Sequence, residues 1–547
     1  MRTQRTAIDS GQNSANGIRN SLPPPRAGAQ RRGASWGRGT SWGSAIRGLW
    51  TVVGALVVGM VMLGGSASAA SYDPTTDAGS MYNITRTIGA QTYWQAGFTG
   101  KGVDVAVIDS GISPVPGLTA PGKVINGPDL SFESQAPNLT NLDTYGHGTF
   151  IAGIIAGRGD GAVAGQYVGD TTNFLGVAPD ARILSLKVAT SDGAVDVSQM
   201  IAAIDWVVQH KNDNGMNIRV LNLSYGTDST QDYSVDPLAF AVERAWNAGI
   251  FVVAATGNDG FVKRIGSLTS PATDPTILAV GASDTQGTLT YADDTVAAFS
   301  STGSKSRPVD VVAPGAHIVS LRDPGSYIDT TYGSTGYVTD TLFRGSGTSE
   351  AAAVVSGAAA LIIQQRPGIT PDYLKSLILQ SATPLPGWSF QVEGNGEINL
   401  RQSLFATVSA LPKVATPSTG TGSLDLARGS VYVVNNGVYL RGEQDIFGHA
   451  FDSIAMAAAE ASGSSWSGGV WNGNTWSGSS WSGSSWSAST WSGSTWSGNS
   501  WSGSSWSGNT WSGNTWSGSS WSGSSWSGST WSGSTWSGSS WSGSGWS

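Results

Sequence analysis

The chain contains no cysteine. That excludes disulfide staples, a thiol nucleophile and thiolate metal ligands. It does not argue against export, since a domain of this size can bury a large core without cross-links. Charge is also scarce: 12% of the 547 residues are charged, and no Asp, Glu, Lys or Arg follows Glu460. Basic residues cluster at the start, where residues 1–47 hold eight of the 29 Lys and Arg beside a single acid, Asp9. Without residues 1–69 the chain keeps 21 basic and 36 acidic residues. Nucleic acid rewards phosphate-neutralising Lys and Arg, so an acidic chain is read as having no nucleic-acid partner. Its acidity is read as a contribution to solubility.

Long apolar runs are limited to one. Residues 48–65 follow Arg47 and lead into Ser66-Ala67-Ser68-Ala69-Ala70. A basic flank, an apolar run and a small-x-small site at Ala67 and Ala69 read as an export signal, with an uncleaved membrane anchor as the alternative. The expected location is therefore secreted or cell-surface. The second apolar stretch, 351–363, is short and begins beside Glu350, which fits a buried helix. Four segments follow from composition. They are an export signal with a basic preamble (1–69), a globular domain (70–405), a linker or small β appendage (406–461) and a repeat tail (462–547).

Within the globular part, short apolar runs alternate with helical patterns. Strands are expected at 103–108, 181–188, 220–223, 250–255, 277–280 and 309–312. Helices are expected at 148–156, 197–210, 237–247, 351–364 and 371–380. Near-continuous apolar strands between helices predict a mostly parallel sheet covered on both faces. The fold class is thus α/β, with three layers and a doubly wound sheet. Ligands of such sheets bind at the carboxyl ends of the strands. A hairpin with a Gly-containing turn is expected at 431–440.

The residues able to do chemistry fall at those strand ends. Of four histidines, His147 alone lies between glycines at a helix start, in Tyr145-Gly146-His147-Gly148-Thr149. Asp109 closes the strand at 103–108. Ser349 sits in Gly345-Ser346-Gly347-Thr348-Ser349, a Gly-rich turn that opens an apolar helix. A serine there gains free backbone N–H groups and a positive helix end, which suit a developing oxyanion. Asn258 closes another strand and offers a side-chain donor.

Asp-Ser-Gly, Gly-His-Gly-Thr and Gly-Thr-Ser-x-Ala, in that order, resemble the subtilisin-like serine peptidases. Gly176-Val177-Ala178-Pro179, Ser270-Pro271-Ala272 and Ala313-Pro314-Gly315 add to the resemblance, which spans about residues 88–406. It implies a serine endopeptidase acting on proteins or peptides through an acyl-enzyme. Ser349 is then the nucleophile, His147 the general base and acid, and Asp109 the group that orients His147. Asn258 and the Ser349 amide form the oxyanion hole. Ser224, Tyr225 and Gly226 pair with the substrate as an added strand. No cofactor is needed for the chemistry. The resemblance leaves structural calcium open, but Asp143, Asp160 and Asp170 match no ligand set and read as a solvated face.

Three departures stand out. Glu350 follows the nucleophile where relatives usually carry an apolar residue, and its charge is expected to raise the His147 pKa. Phe150 replaces a non-catalytic histidine of many relatives. Too little sequence separates Ala70 from the catalytic domain for the N-terminal propeptide that many relatives carry.

The tail repeats Trp every five residues, 17 times from Trp466 to Trp546. Period five matches neither a helix face nor a flat strand. Two readings stay open: disorder, or a β-stack like pentapeptide-repeat coils, in which four indoles per coil would crowd the interior. A Trp array could hold the protein to cell wall or surface glycan. That gives an alternative function, a non-catalytic surface protein with an inactive peptidase scaffold.

Overall fold

The computed structural model describes residues 72–547, except Pro137, 261–265, 408, 410–414, 436–437, 447–449, Ser547 and short breaks within 467–479, 493–494 and 508–509. The apolar segment 48–65 lies outside the described residues. Among the described residues no helix is long and apolar enough to cross a membrane.

Apolar β-branched runs make the central sheet. Its strands are β1 (Asp104–Asp109), β2 (Val124–Asp129), β3 (Arg182–Lys187), β4 (Ile218–Leu223), β5 (Phe251–Ala255), β6 (Leu278–Asp284), β7 (Thr295–Val296) and β8 (Val311–Pro314). The order is β2-β3-β1-β4-β5-β6-β7, with β8 also on β6. Every pairing is parallel except β6 with the short β7. Residues Val105 to Ile108 of β1 are essentially inaccessible, as a strand covered on both faces requires. The winding reverses between β1 and β4. The crevice at that reversal is where Asp109 ends β1 and Ser224 follows β4.

Eight helices matter for the site: α1 (Met81–Thr87), α2 (Ala90–Gln95), α3 (His147–Ala156), α4 (Val197–His210), α5 (Pro237–Asn247), α6 (Tyr327–Gly336), α7 (Thr348–Gln365) and α8 (Pro371–Ser381). Helix α7 is the central one. It packs on α3 and on β4, β5, β6 and β8, and is buried from Glu350 to Ile363. A helix apolar all round must be enclosed on all sides. At Gly357 a Cβ would lie 2.6 Å from the Val177 side chain, so this crossing needs glycine. On the other face α4 and α5 pack together and reach β1 and β5. The expected α/β architecture is therefore the observed one.

Among the elements not anticipated are α1, α2, β2, β7 and α6. The edge strand β2 contains Asn126-Gly127-Pro128, and its register with β3 shifts between Asn126 and Asp129. Proline is tolerated at such an edge. Helix α6 lies between two strands of a small antiparallel sheet, β9 (Ile318–Leu321), β10 (Tyr337–Thr339) and β11 (Leu342–Gly345), ordered β10-β11-β9.

Residues 406–461 hold more than a β appendage. The expected hairpin pairs Val434–Asn435 with Val438–Tyr439, but helices also form at Leu424–Arg428 and Ser453–Ser462. This segment is fastened along α4. Arg428 Nε donates to Asp196 Oδ2 at 2.6 Å, with both side chains fully buried. Trp466 Nε1 donates to the Ala202 carbonyl at 3.1 Å. Further on, Ser480–Ser492 pairs in parallel with Thr495–Ser507, and that strand with residues from Thr510. Each residue faces the one fifteen positions later, as in Trp481, Trp496 and Trp511. Fifteen positions are three pentapeptides.

Candidate active site

The site begins with close backbone approaches. His147 is the first residue of α3, and its N-cap Gly146 has φ of 99°. A Cβ on Gly148 would lie 2.2 Å from the Gly111 carbonyl and 3.2 Å from Asp109 Cβ. Glycine at 148 therefore lets α3 start against the end of β1. The result is a direct contact: His147 Nδ1 lies 2.8 and 3.0 Å from the two carboxylate oxygens of Asp109. A carboxylate accepts only, so Nδ1 carries the proton and Nε2 is left as a base.

A second carboxylate holds this pair. Asp143 is 2% exposed. It accepts the Gly146 amide at 2.6 Å, the Thr149 amide at 2.7 Å and the Ser110 hydroxyl at 2.8 Å. This corrects the reading of Asp143 as a solvated face. It satisfies the open amides of the α3 start and, through Ser110, braces the β1 end. Burial pushes its pKa up, against the bonds from Thr149, Gly146 and Ser110. The signal for it was an Asp shortly before a helix start, a position where Asp commonly serves the open amides. Asp160 is exposed, and Asp170 is occupied by Thr172 and Asn173. Among the described residues no group of three or more His, Cys, Asp or Glu is placed to hold a metal ion.

Ser349 lies in the first turn of α7 and is half-buried. Its amide has no carbonyl four residues back to bond. A polar thread ties it to the sheet. Ser356 Oγ donates to Asn222 Oδ1 at 2.8 Å, and Asn222 Nδ2 to Ser224 Oγ at 3.0 Å. Ser224 Oγ in turn donates to the Ser349 carbonyl at 3.3 Å. Ser224, Tyr225 and Gly226 thus continue β4 directly past the turn that carries Ser349. Asn258 follows β5, and its Oδ1 accepts the Thr348 amide at 3.0 Å. With Oδ1 so occupied, Nδ2 faces the turn, 3.4 Å from where a Cβ on Gly347 would sit.

Glu350 is 6% exposed and close enough to act on His147. Burial pulls the His147 pKa down. Asp109, by charge and hydrogen bond, outweighs that, and Glu350 and Asp143 add to the lift, giving about 9. The expected effect of Glu350 has the right sign. For Glu350 itself, burial raises the pKa while His147 opposes the rise. Phe150 lines the same recess as His147 and has no proton to move. His210 stacks on Trp206 and bonds its carbonyl, and His317 sits at φ 59° beside Ser346, so neither joins the site. His449 lies outside the described residues.

The subtilase family model matches residues 100–402. The chain is 38% identical over 313 residues to serine protease AprX of Bacillus subtilis (strain 168), covering 56% of this chain and 67% of that protein. It is 34% identical over 303 residues to subtilisin Savinase of Lederbergia lenta, covering 55% and 91%. To the minor extracellular protease Epr of B. subtilis (strain 168) it is 32% identical over 301 residues, covering 55% and 38%. With the family model matched over more than half its length, the chain belongs to the subtilase family and is a serine-type endopeptidase.

Proposed function

We propose that Ser349, His147 and Asp109 carry out the peptide hydrolysis. The observation that carries this reading is the His147 Nδ1–Asp109 contact of 2.8 Å, which fixes the tautomer with Nε2 basic. Ser349 Oγ attacks the scissile carbonyl as His147 Nε2 takes its proton. The Asn258 side chain and the Ser349 amide receive the oxyanion. As the intermediate collapses, His147 returns the proton to the leaving amine. Water then releases the acyl group by the same steps, while Asp109 stabilises the imidazolium throughout. Ser224, Tyr225 and Gly226 hold the acyl side of the substrate as an extra strand. Asp109→Asn tests the assignment. It keeps the shape but favours the wrong tautomer, and turnover should fall by about 10⁴-fold, as in another Ser-His-Asp protease. A fall below tenfold would contradict the role.

The substrates are proteins or peptides met outside the cell, after export directed by the apolar segment at 48–65. The Trp repeat holds the enzyme to wall or surface polymer. Supporting this are the export-like start and the uncharged, Trp-rich end. If protein lacking residues 462–547 binds purified cell envelope as well as the full chain, the tethering role is wrong.

A further inference from the structure

A recess of about 380 Å³, partly open to solvent, adjoins His147. Its walls include His147, Glu350, Asp323, Phe150 and Phe343, but not Asn258 or Ser224. It therefore lies on the His147 side of the site. In the reading above, His147 hands its proton to the departing amine. The recess is thus next to the leaving half of the substrate.

Its charge is unusual for a buried space. Glu350 is 6% exposed, lines the recess and accepts no hydrogen bond from another described residue. Its own backbone amide is its donor, and His147 supplies the charge that favours its ionised form. Asp323 also lines the recess and accepts a side-chain bond from Ser113 Oγ at 3.0 Å. Asp329 also lines the recess, but it is already taken by Arg322, at 2.6 and 2.9 Å, and by the Gly325 amide at 2.9 Å. Glu350 and Asp323 thus line the recess with no Lys or Arg bonded to either among the described residues.

The rest of the lining suits a long basic side chain. Phe150 and Phe343 offer apolar surface for a methylene stem, and the two carboxyl groups can receive a charged head. Glycine at 345 keeps the space open, since a Cβ there would stand 2.8 Å from Glu350 Oε1.

We propose that this recess receives the side chain of the residue immediately after the cut and selects lysine or arginine there. The inference rests on the assignment of Ser349 as nucleophile. An acidic residue at that position would meet two like charges and be disfavoured.

The test uses quenched peptides identical except for Lys, Arg, Leu or Glu at the first leaving-side position. They are compared by kcat/KM on the full chain and on Glu350→Gln and Asp323→Asn. The full chain should favour Lys and Arg over Leu by about tenfold or more, with Glu poorest. Glu350→Gln should bring that ratio towards one, and Asp323→Asn should lower it. Because the readout is a ratio within each protein, a partly unfolded variant does not distort it. Equal cleavage of Lys and Leu peptides by the full chain, or a full ratio kept by Glu350→Gln, would overturn the proposal. If the full chain cleaves none of the peptides and does not react with a fluorophosphonate, the assignment of Ser349 itself fails, and this inference with it.

Discussion

Asn258 Oδ1 accepts both the amide and the hydroxyl of Thr348, at 3.0 and 3.1 Å. One side chain thus closes the end of β5 onto the first residue of α7. The same two bonds decide which way the Asn258 amide points. Its NH₂ is turned to the turn at Gly347, where the proposed mechanism places the oxyanion. Asn258→Ala removes that donor. Turnover should fall by ~10²–10³-fold with KM little changed, as measured for the equivalent loss in a related enzyme. A steady-state comparison checks it, and a kcat within threefold of the parent would exclude Asn258 from the oxyanion hole.

The pH profile follows from the charges around His147. The reaction needs neutral Nε2, and Asp109, Glu350 and Asp143 hold the His147 pKa at about 9 against the effect of burial. Activity as kcat/KM should therefore climb from neutral to alkaline pH, with its midpoint near that value. Glu350→Gln deletes one of the three charges, so the rising limb should move to lower pH. A profile of the variant that overlays the parent would contradict this. The same pKa bears on stability. A histidine raised above its ordinary 6.5 contributes stability that is complete below that pH and is lost as pH rises through about 9.

Much of the site could be read from the chain because its glycines mark close approaches. Gly146 and Gly148 flank His147, and at both positions a Cβ would strike the neighbouring chain. Asp109 was legible as the polar end of an apolar run. Asp143 was not, because a loop carboxylate reads as solvated until the amides it serves are located. Strand β2 was hidden by Asn126-Gly127-Pro128, which signal a turn. Helix α6 was hidden by its own composition, rich in Thr and Gly, which favour helix weakly. It is fixed instead by Ser326, whose Oγ accepts the Asp329 amide at 3.3 Å. The Tyr327 and Ile328 amides add to this by reaching the Thr144 and Tyr145 carbonyls at 3.0 and 2.9 Å. Those are tertiary contacts that no local pattern carries.

Residues 406–461 should contribute to the stability of the catalytic domain. The Arg428–Asp196 pair is fully buried, and Asp196 also caps α4. Arg428→Ala would leave that carboxylate buried without its cation, at a cost of about 3–5 kcal/mol. Denaturant unfolding of a Ser349→Ala background, which avoids self-digestion, measures the effect. A change below 1 kcal/mol would show the segment to be only loosely attached.

Asp294 and Glu397 are buried together, 2% and 0% exposed. Burial, reinforced by the Asp294 charge and hydrogen bond, holds Glu397 well above the usual carboxyl range. Asp294 is pushed up to about 6 by burial, against a hydrogen bond from Glu397 and with Asp293 and Asp284 adding to the rise. Carboxyl groups raised in the folded state destabilise it as pH climbs past their unfolded values. Glu397→Gln keeps a donor for Asp294 and removes one ionisation. The stability of the variant relative to its parent should therefore grow from pH 5 to pH 8. A pH-independent difference would mean that the pair does not titrate.

The most direct measurement is labelling with a fluorophosphonate probe, comparing the full chain with Ser349→Ala and His147→Ala. The account predicts labelling of the parent at Ser349, none of Ser349→Ala, and at least a hundredfold slower reaction of His147→Ala. A folded parent that fails to label, or a Ser349→Ala variant that labels as fast as the parent, would contradict it.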